Sequence, residues 1–203
     1  MAPDSDPGVV SRADERILDT YDVERHRATE ENIRITSRSE RFLRPRSEME
    51  HPLRRCVLDL AHEHRFARPM LNTGRLCAPR QYGGLPTVGA AAHDGKSIAN
   101  VRLERDRRPT TLVDVPREAE ACCVAFVFSA AWPDPGGLSL VVQRVGRDGV
   151  DVHGHLAAQP GVPRGGVALI RRDGHLAAAL PDTDAAALHA TVRRTLGQTT
   201  IAA

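Results

Sequence analysis

The stretch at residues 121–128, ACCVAFVF, contains the most apolar run in the chain. Its length and unbroken apolar character predict a central β-strand that is covered on both faces. Residues 128–137, FSAAWPDPGG, follow directly and predict a tight turn that Pro133 and Pro135 stiffen. A buried strand that leads into such a turn indicates a layered fold built around a sheet.

Further strand signals lie on both sides of this central strand. Residues 101–106, VRLERD, alternate apolar and polar side chains and predict a short strand. Residues 138–145, LSLVVQRV, predict another strand, and residues 147–157, RDGVDVHGHLA, predict a turn followed by a further short strand.

The end of the chain completes the predicted α/β layer. Residues 165–180, GGVALIRRDGHLAAAL, contain two apolar runs around an Asp-Gly pair, which is a hairpin signal. Arg171 belongs to an arginine pair that we expect on a solvated surface. Residues 183–197 have apolar positions at helical spacing and predict a helix capped by Thr183 or Asp182.

The N-terminal part of the chain has a helical pattern. Residues 1–12 are rich in Pro, Asp, Ser and Gly, and we expect a disordered tail there. A long charged helix is predicted to begin at Ser11 and to run to about Ser39, before Pro45 interrupts the pattern.

A second helix is predicted after this interruption. Ser47 and Glu50 have the spacing of a capping box, and the helix is expected to end near residues 72–74, Asn-Thr-Gly. The sequence then becomes rich in Gly and Pro, which indicates a domain boundary. The predicted organisation is therefore a tail at 1–12, a two-helix segment at 13–73 and an α/β domain at 74–203.

Composition excludes several classes of function. The 203 residues carry a formal net charge of +2 and only 3% aromatic residues, so neither nucleic-acid binding nor attraction to an anionic membrane is expected. No apolar stretch has the length of a membrane span, and the N-terminus lacks the pattern of a signal peptide. We therefore expect a cytoplasmic protein whose four cysteines are reduced thiols.

Three separated segments resemble FAD-dependent aromatic-ring hydroxylases, the flavoprotein monooxygenases of polyketide tailoring. Residues 17–33, ILDTYDVERHRATEENI, are similar to a Tyr-x-x-Glu-Arg-Arg-Pro-x-Ala helix of this family. Residues 41–76 are similar to the family's next helical stretch. Residues 165–180 resemble the terminal hairpin of its C-terminal thioredoxin-like domain. In the first segment the matches are Tyr21, Glu24 and Arg25, and the departures are His26 and Arg27.

The resemblance implies a thioredoxin-like C-terminal domain preceded by a two-helix segment. In a redox-active thioredoxin, the strand and turn at residues 121–137 would carry the motif Trp-Cys-x-x-Cys. Here Pro133 and Gly136 stand where the two cysteines would be, and the chain contains no CxxC. The domain is therefore expected to do no disulfide exchange.

The resemblance also bears on the cofactor. The family binds FAD through a βαβ unit with the motif GxGxxG and through a later Gly-Asp motif, and this sequence has neither. We expect that the chain has no FAD site of its own, so that FAD is present only if a partner chain supplies it.

Four residues are weak candidates for acid-base chemistry: Asp134, His153, His155 and Tyr82. His153 and His155 are two residues apart on a predicted strand, so both rings would face one side, together with Asp151. No further ligand at suitable spacing completes this group, and no metal site is predicted.

Two functions of different classes follow. The first is a non-catalytic module, structural, dimerising or accessory to a separate flavoprotein subunit. The second is a cofactor-free tailoring enzyme, a cyclase or isomerase that acts on a small aromatic or polyketide ligand. A third reading is that the chain is a fragment of a larger oxidoreductase.

Overall fold

A computed structural model describes residues 16–71, 80–105, 108–129, 138, 140–146, 150–151 and 153–198. The chain divides into two compact units. Asp22–Arg80 form the helical unit; the described residues up to Tyr21 and from Gln81 onward form the sheet unit. The mixture of helix and sheet confirms the predicted α/β class. The tail, the helix end near residue 72 and the turn at residues 130–137 lie outside the described residues.

Helix α1, Arg16–Leu43, is the longest described helix, and its residues from Asp22 onward belong to the helical unit. It extends one turn beyond the predicted end at Ser39, and the N–H of Arg44 still donates to the carbonyl of Glu40 at 2.8 Å. Pro45 disfavours the helical conformation at the residue directly before it, so the helix continues almost to the proline.

Helix α2, Glu50–Glu63, begins two residues later than a cap at Ser47 predicts, and Met49 occupies the N-cap position. The hydroxyl of Ser47 accepts a hydrogen bond from the N–H of Glu50 at 3.3 Å. In a complete capping box the carboxylate of Glu50 would accept from the N–H of Ser47. Here it accepts from the N–H of Arg46 at 2.7 Å. One donor of the first turn and one donor of the preceding turn are therefore satisfied.

The helical stretch after α2 is broken into short pieces. His64 has an extended backbone and ends α2, after which a 3₁₀ turn, Arg65–Ala67, leads into the four-residue helix α3, Arg68–Leu71. The single helix predicted to fade toward residue 72 is thus three elements.

The sheet unit contains two sheets. Strands β1, Arg102–Arg105, and β2, Arg108–Thr111, form an antiparallel pair, and a short helix α4, Asp114–Glu118, follows. The larger sheet contains β3, Cys123–Val127; β4, Leu140–Arg144; β5, Val167–Arg171; and β6, Leu176–Leu180. Its spatial order is β4-β3-β5-β6, with β3 and β4 parallel and the other neighbours antiparallel.

The central strand is as buried as its sequence predicts. All five residues of β3 are buried, and neighbouring strands pair with both of its edges. Val124 and Phe126 pack on one face with Leu112, Leu156 and Ile170. Cys123, Ala125 and Val127 pack on the opposite face with Leu169, Leu188 and Val192. Because each face is covered, every position of the strand is apolar and no alternation appears in the sequence.

The predicted hairpin and terminal helix are confirmed, with one correction. β5 and β6 form the hairpin, whose turn glycine, Gly174, has a φ of +84°. Helix α5, Ala185–Thr195, is capped by Asp184, whose carboxylate accepts from the N–H groups of Ala186 and Ala187. The predicted caps were wrong because Asp182 instead accepts from the N–H of Asp184 at 3.1 Å.

The strand predicted within residues 147–157 does not form in the described part of that segment. Asp151 is buried with a φ of +60°, and its carboxylate accepts from the N–H groups of Leu156 and Ala157, each at 2.9 Å. These bonds fold residues 153–160 into successive turns, because a short acidic side chain competes with strand pairing for the backbone donors. His153 and His155 therefore lie on a turn.

No helix in the described part of the chain is both long enough and apolar enough to cross a membrane.

Candidate functional site

Of the four predicted candidates, Tyr82 is the one found in a polar cluster of the sheet unit. Its ring is almost fully buried and lies 4.7 Å, centroid to centroid, from the ring of His175. The loop that carries Tyr82 is held by the bond from the Tyr82 N–H to the carbonyl of Gly95, at 2.9 Å. A side chain at Gly95 would collide with the backbone of Tyr82 and Gly83, so this approach requires glycine.

The centre of the cluster is the carboxylate of Asp173 in the hairpin turn. Arg171 binds it with two donors, from Nη2 to Oδ2 at 2.7 Å and from Nε to Oδ1 at 3.2 Å. The Nδ1 atom of His175 lies 3.3 Å from Oδ2. The remaining Nη1 of Arg171 donates to the hydroxyl of Thr87 at 3.0 Å. We call these five residues, Tyr82, Thr87, Arg171, Asp173 and His175, the hairpin clamp.

The charges of the clamp keep Asp173 ionised. Desolvation by itself would raise the pKa of this carboxyl group. Hydrogen bonding by His175 and the positive charge of Arg171 outweigh it and hold the pKa of Asp173 well below its usual range. The sequence-based placement of Arg171 on a solvated surface is wrong, because its side chain is only 16% exposed and is committed to this carboxylate.

An Asp–His pair is a device by which enzymes orient a general base, but the surroundings of His175 do not allow that role. The side chain of His175 is only 12% exposed, and its Nε2 atom is buried without a hydrogen-bond partner among the described residues. A substrate cannot reach this nitrogen in the observed conformation. The clamp therefore fastens the loop of Tyr82 to the hairpin, and the imidazole of His175 offers no accessible nitrogen for acid-base chemistry.

The other predicted candidates do not join the clamp. His153 and His155 are exposed on their turn, with ring centroids 5.6 Å apart. Asp151 is buried, and its two carboxylate oxygens accept backbone N–H bonds from Leu156 and Ala157. Within the described residues no group of three His, Cys, Asp or Glu side chains could hold a metal ion. Asp134 lies outside the described residues.

The cysteines of the sheet unit are poorly placed for redox chemistry. No disulfide joins the described cysteines, and the thiol of Cys123 is fully buried. A hydrogen bond with Cys122 and burial both raise the pKa of Cys123 well above its usual value. The thiol therefore stays protonated, and a protonated thiol is not a nucleophile. Cys77 lies outside the described residues.

The sequence patterns do not predict that His175 and Asp173 lie in one cluster with Tyr82. A signal exists in the spacing of residues 171, 173 and 175, which brackets the Asp-Gly turn and brings an arginine and a histidine to one carboxylate. The contribution of Tyr82 has no local signal, since 93 positions separate it from His175.

The described fold belongs to the class seen in flavin-dependent monooxygenases and hydroxylases. The sequence matches no protein-family model, and no curated protein matches it well enough to count as a relative. Solved structures do match. The flavin-dependent monooxygenase PieE, in complex with FAD and substrate, matches at a TM-score of 0.60 and 20% identity. OxyS anhydrotetracycline hydroxylase from Streptomyces rimosus matches at a TM-score of 0.56 and 18% identity.

Both similarities extend over 95% of this chain, but the chain spans only 42% of PieE and 38% of OxyS. The resemblance to FAD-dependent aromatic hydroxylases, first noted in three sequence segments, is thereby confirmed at the level of fold. The match covers a part of these enzymes, slightly over a third of OxyS and slightly more of PieE.

Proposed function

We propose that the chain is a non-redox module of a flavin-dependent aromatic hydroxylase, and that it completes the enzyme structurally. The FAD site would lie in the part of the enzyme that this chain does not match, on the same polypeptide or on a separate subunit. The observation that carries this proposal is the fold similarity to PieE, which takes in 95% of this chain and 42% of that enzyme.

The helical unit supports the proposal because it covers few of its own apolar side chains. Among its described residues the buried apolar ones are Val57, Ala61 and Ala67. Seven large apolar side chains are between 40% and 72% exposed, and we call them the uncovered apolar set: Ile33, Leu43, Leu53, Leu58, Leu60, Phe66 and Met70. We propose that these exposed side chains are where the rest of the enzyme packs, as exposed apolar patches commonly are.

The sheet unit supports a structural role. A parallel strand pair, an antiparallel hairpin and a terminal helix follow one another along the chain, as in a thioredoxin-like domain, and we propose this assignment for residues 74–203. The segment that follows β3 contains no cysteine. The thiol of Cys123 is protonated and buried, and the imidazole of His175 is covered, so neither group supports catalysis by this unit.

Sedimentation velocity on the purified chain tests the role of the uncovered apolar set. At tens of micromolar we expect self-association, because copies of the chain cover one another when the rest of the enzyme is absent. The double variant Leu60→Glu and Phe66→Glu should shift the chain toward monomer. The control His62→Glu adds a charge at an exposed polar position of the same helix and should leave self-association unchanged.

Equilibrium dialysis against FAD tests the placement of the cofactor. We expect no stoichiometric binding to the chain alone. A purified chain that is yellow with bound FAD would refute this part of the proposal. A wild-type chain that is strictly monomeric, and whose sedimentation the double variant does not alter, would refute the structural role.

A further inference from the structure

A cavity of about 250 Å³ that is open to solvent lies on the helical unit and has a mainly apolar lining. Its walls come from the end of α1, from the turn after it, from α2 and from α3. The apolar side chains that line it are Phe42, Pro45, Leu53, Val57 and Met70. Leu53 and Val57 are one helical turn apart, so α2 presents one continuous apolar strip to the cavity.

Charged groups stand at the same cavity, and they do not balance. Arg38, Arg41, Arg54 and Glu50 all line it. Glu50 is already engaged, because one carboxylate oxygen binds Arg41 at 2.6 Å and the other accepts from the N–H of Arg46. Among the described residues no carboxylate forms an ion pair with Arg38 or Arg54. The cavity therefore has two positive charges without a counter-charge.

Arg54 is the group that points to a ligand. Its Nε atom is buried and has no hydrogen-bond partner among the described residues. A buried guanidinium N–H without an acceptor is costly, because water no longer satisfies it. An acceptor supplied by a bound molecule would remove this cost, whereas a purely apolar occupant would leave the N–H unsatisfied.

We propose that this cavity binds a small apolar carboxylic acid as its anion. The carboxylate accepts from the guanidinium of Arg54, whose fork of donors matches two carboxylate oxygens, and Arg38 contributes the second positive charge. The apolar body of the ligand packs against Phe42, Leu53 and Val57. The volume suits a bicyclic aromatic or a short acyl chain and lies below the range for larger cofactors.

This site is separate from the proposed structural role. It takes a small molecule, and all of its lining residues belong to the helical unit. It shares Leu53 and Met70 with the uncovered apolar set, but the charged group that defines it, Arg54, is outside that set. The inference therefore goes beyond the structural role and can fail independently of it.

Isothermal titration of the full 203-residue chain with 2-naphthoate tests the site, and 2-naphthamide provides a neutral ligand of the same shape. We expect one molecule of 2-naphthoate per chain and at least about tenfold weaker binding of the amide, since hydrogen bonds to charged groups carry the difference. Arg54→Gln should lower the affinity for 2-naphthoate about tenfold. Arg54→Lys, which keeps the charge but loses the fork, should give an intermediate value.

The matched control is Arg55→Gln. Arg55 is the next residue on α2, is exposed and does not line this cavity, so its variant should bind 2-naphthoate like the wild type. Circular dichroism of each variant checks that α2 is intact. Equal affinities for the acid and the amide, an Arg54→Gln variant with wild-type affinity, or no binding at the solubility limit of 2-naphthoate would each overturn the proposal.

Discussion

The two units of this chain differ in how they hide apolar surface. In the sheet unit, β3 is buried at all five positions, because strands pair with both edges and side chains cover both faces. In the helical unit, Phe66 is 72% exposed and Leu43 is 65% exposed. A strand in the middle of a layered sheet is enclosed by its own domain, whereas two helices and a short third one can cover only the faces they turn toward each other. The sheet unit should therefore carry its own stability, and the helical unit should depend on cover from outside.

The largest test of this contrast compares two phenylalanines. Phe126→Ala removes a fully buried side chain from the core of the sheet unit and should lower the free energy of unfolding by about 3–5 kcal/mol. Phe66→Ala changes an exposed side chain of the helical unit and should cost less than about 0.5 kcal/mol in the isolated chain. Urea unfolding followed by circular dichroism measures both. Similar losses of unfolding free energy for the two variants would show that the two phenylalanine side chains are equally well buried, which would contradict the contrast between the units.

A smaller effect is expected at the two helix caps. The carboxylate of Asp184 accepts from two N–H groups, at 3.0 and 3.3 Å, so Asp184→Ala should cost about 1 kcal/mol. The hydroxyl of Ser47 accepts one bond at 3.3 Å, and Ser47→Ala should cost only about half as much. Thr183→Ala is the control for α5, because the structure places the cap one residue later. A larger loss of unfolding free energy for Thr183→Ala than for Asp184→Ala would indicate that Thr183 caps the helix, as the sequence predicted.

Acid titration compares the arginine-bound carboxylates of the two units. The pKa of Asp173 is lower in the folded state than the unfolded value of about 3.9. Its stabilising contribution is therefore present above about pH 4 and is lost as the pH falls below that value. Asp173→Asn should be less stable than the wild type at pH 7 by up to about 1 kcal/mol, and the difference should shrink on acidification.

Glu50 is the counterpart of Asp173 in the helical unit. Its pKa is also lowered, first by the hydrogen bond from the Arg46 backbone and then by Arg41. Glu50→Gln should show the same direction of pH dependence with a smaller amplitude, because its pKa is the less strongly shifted of the two. Unfolding curves recorded from pH 7 downward measure these stabilities. A stability difference between Asp173→Asn and wild type that grows toward acid would contradict a lowered pKa for Asp173.

The smallest expected effect concerns reactivity and leaves stability unchanged. Cys56 is exposed in the helical unit, whereas Cys123 is buried in the sheet unit with a raised pKa. Iodoacetamide at neutral pH should therefore alkylate Cys56 at least about tenfold faster than Cys123 in the native chain. Peptide mass spectrometry measures the two sites in one sample, and denatured protein should show similar rates at both. Rapid native labelling of Cys123 would mean that the sheet unit opens far more readily than its burial indicates.

Elements with a strong local signal were predictable. The central strand, the hairpin at residues 165–180 and the terminal helix were all located from apolar runs and turn residues, and the structure confirms them. The predicted strand around His153 failed because the carboxylate of Asp151 binds two backbone N–H groups further along the chain. Whether this segment forms a strand or a series of turns depends on two hydrogen bonds that the amino-acid composition does not reveal.

The sequence by itself determined which segments become strands and helices, because chain periodicity and turn chemistry are local properties. It also determined that no CxxC motif is present and that no cysteine follows the central strand. Only the tertiary structure decided which polar groups meet. Tyr82 reaches His175 through the folding of a distant loop onto the hairpin, and the packing around α2 buries Arg54 Nε beside an apolar cavity. Burial and hydrogen-bond partnership depend on residues far apart in the chain, so the candidate sites emerge from packing.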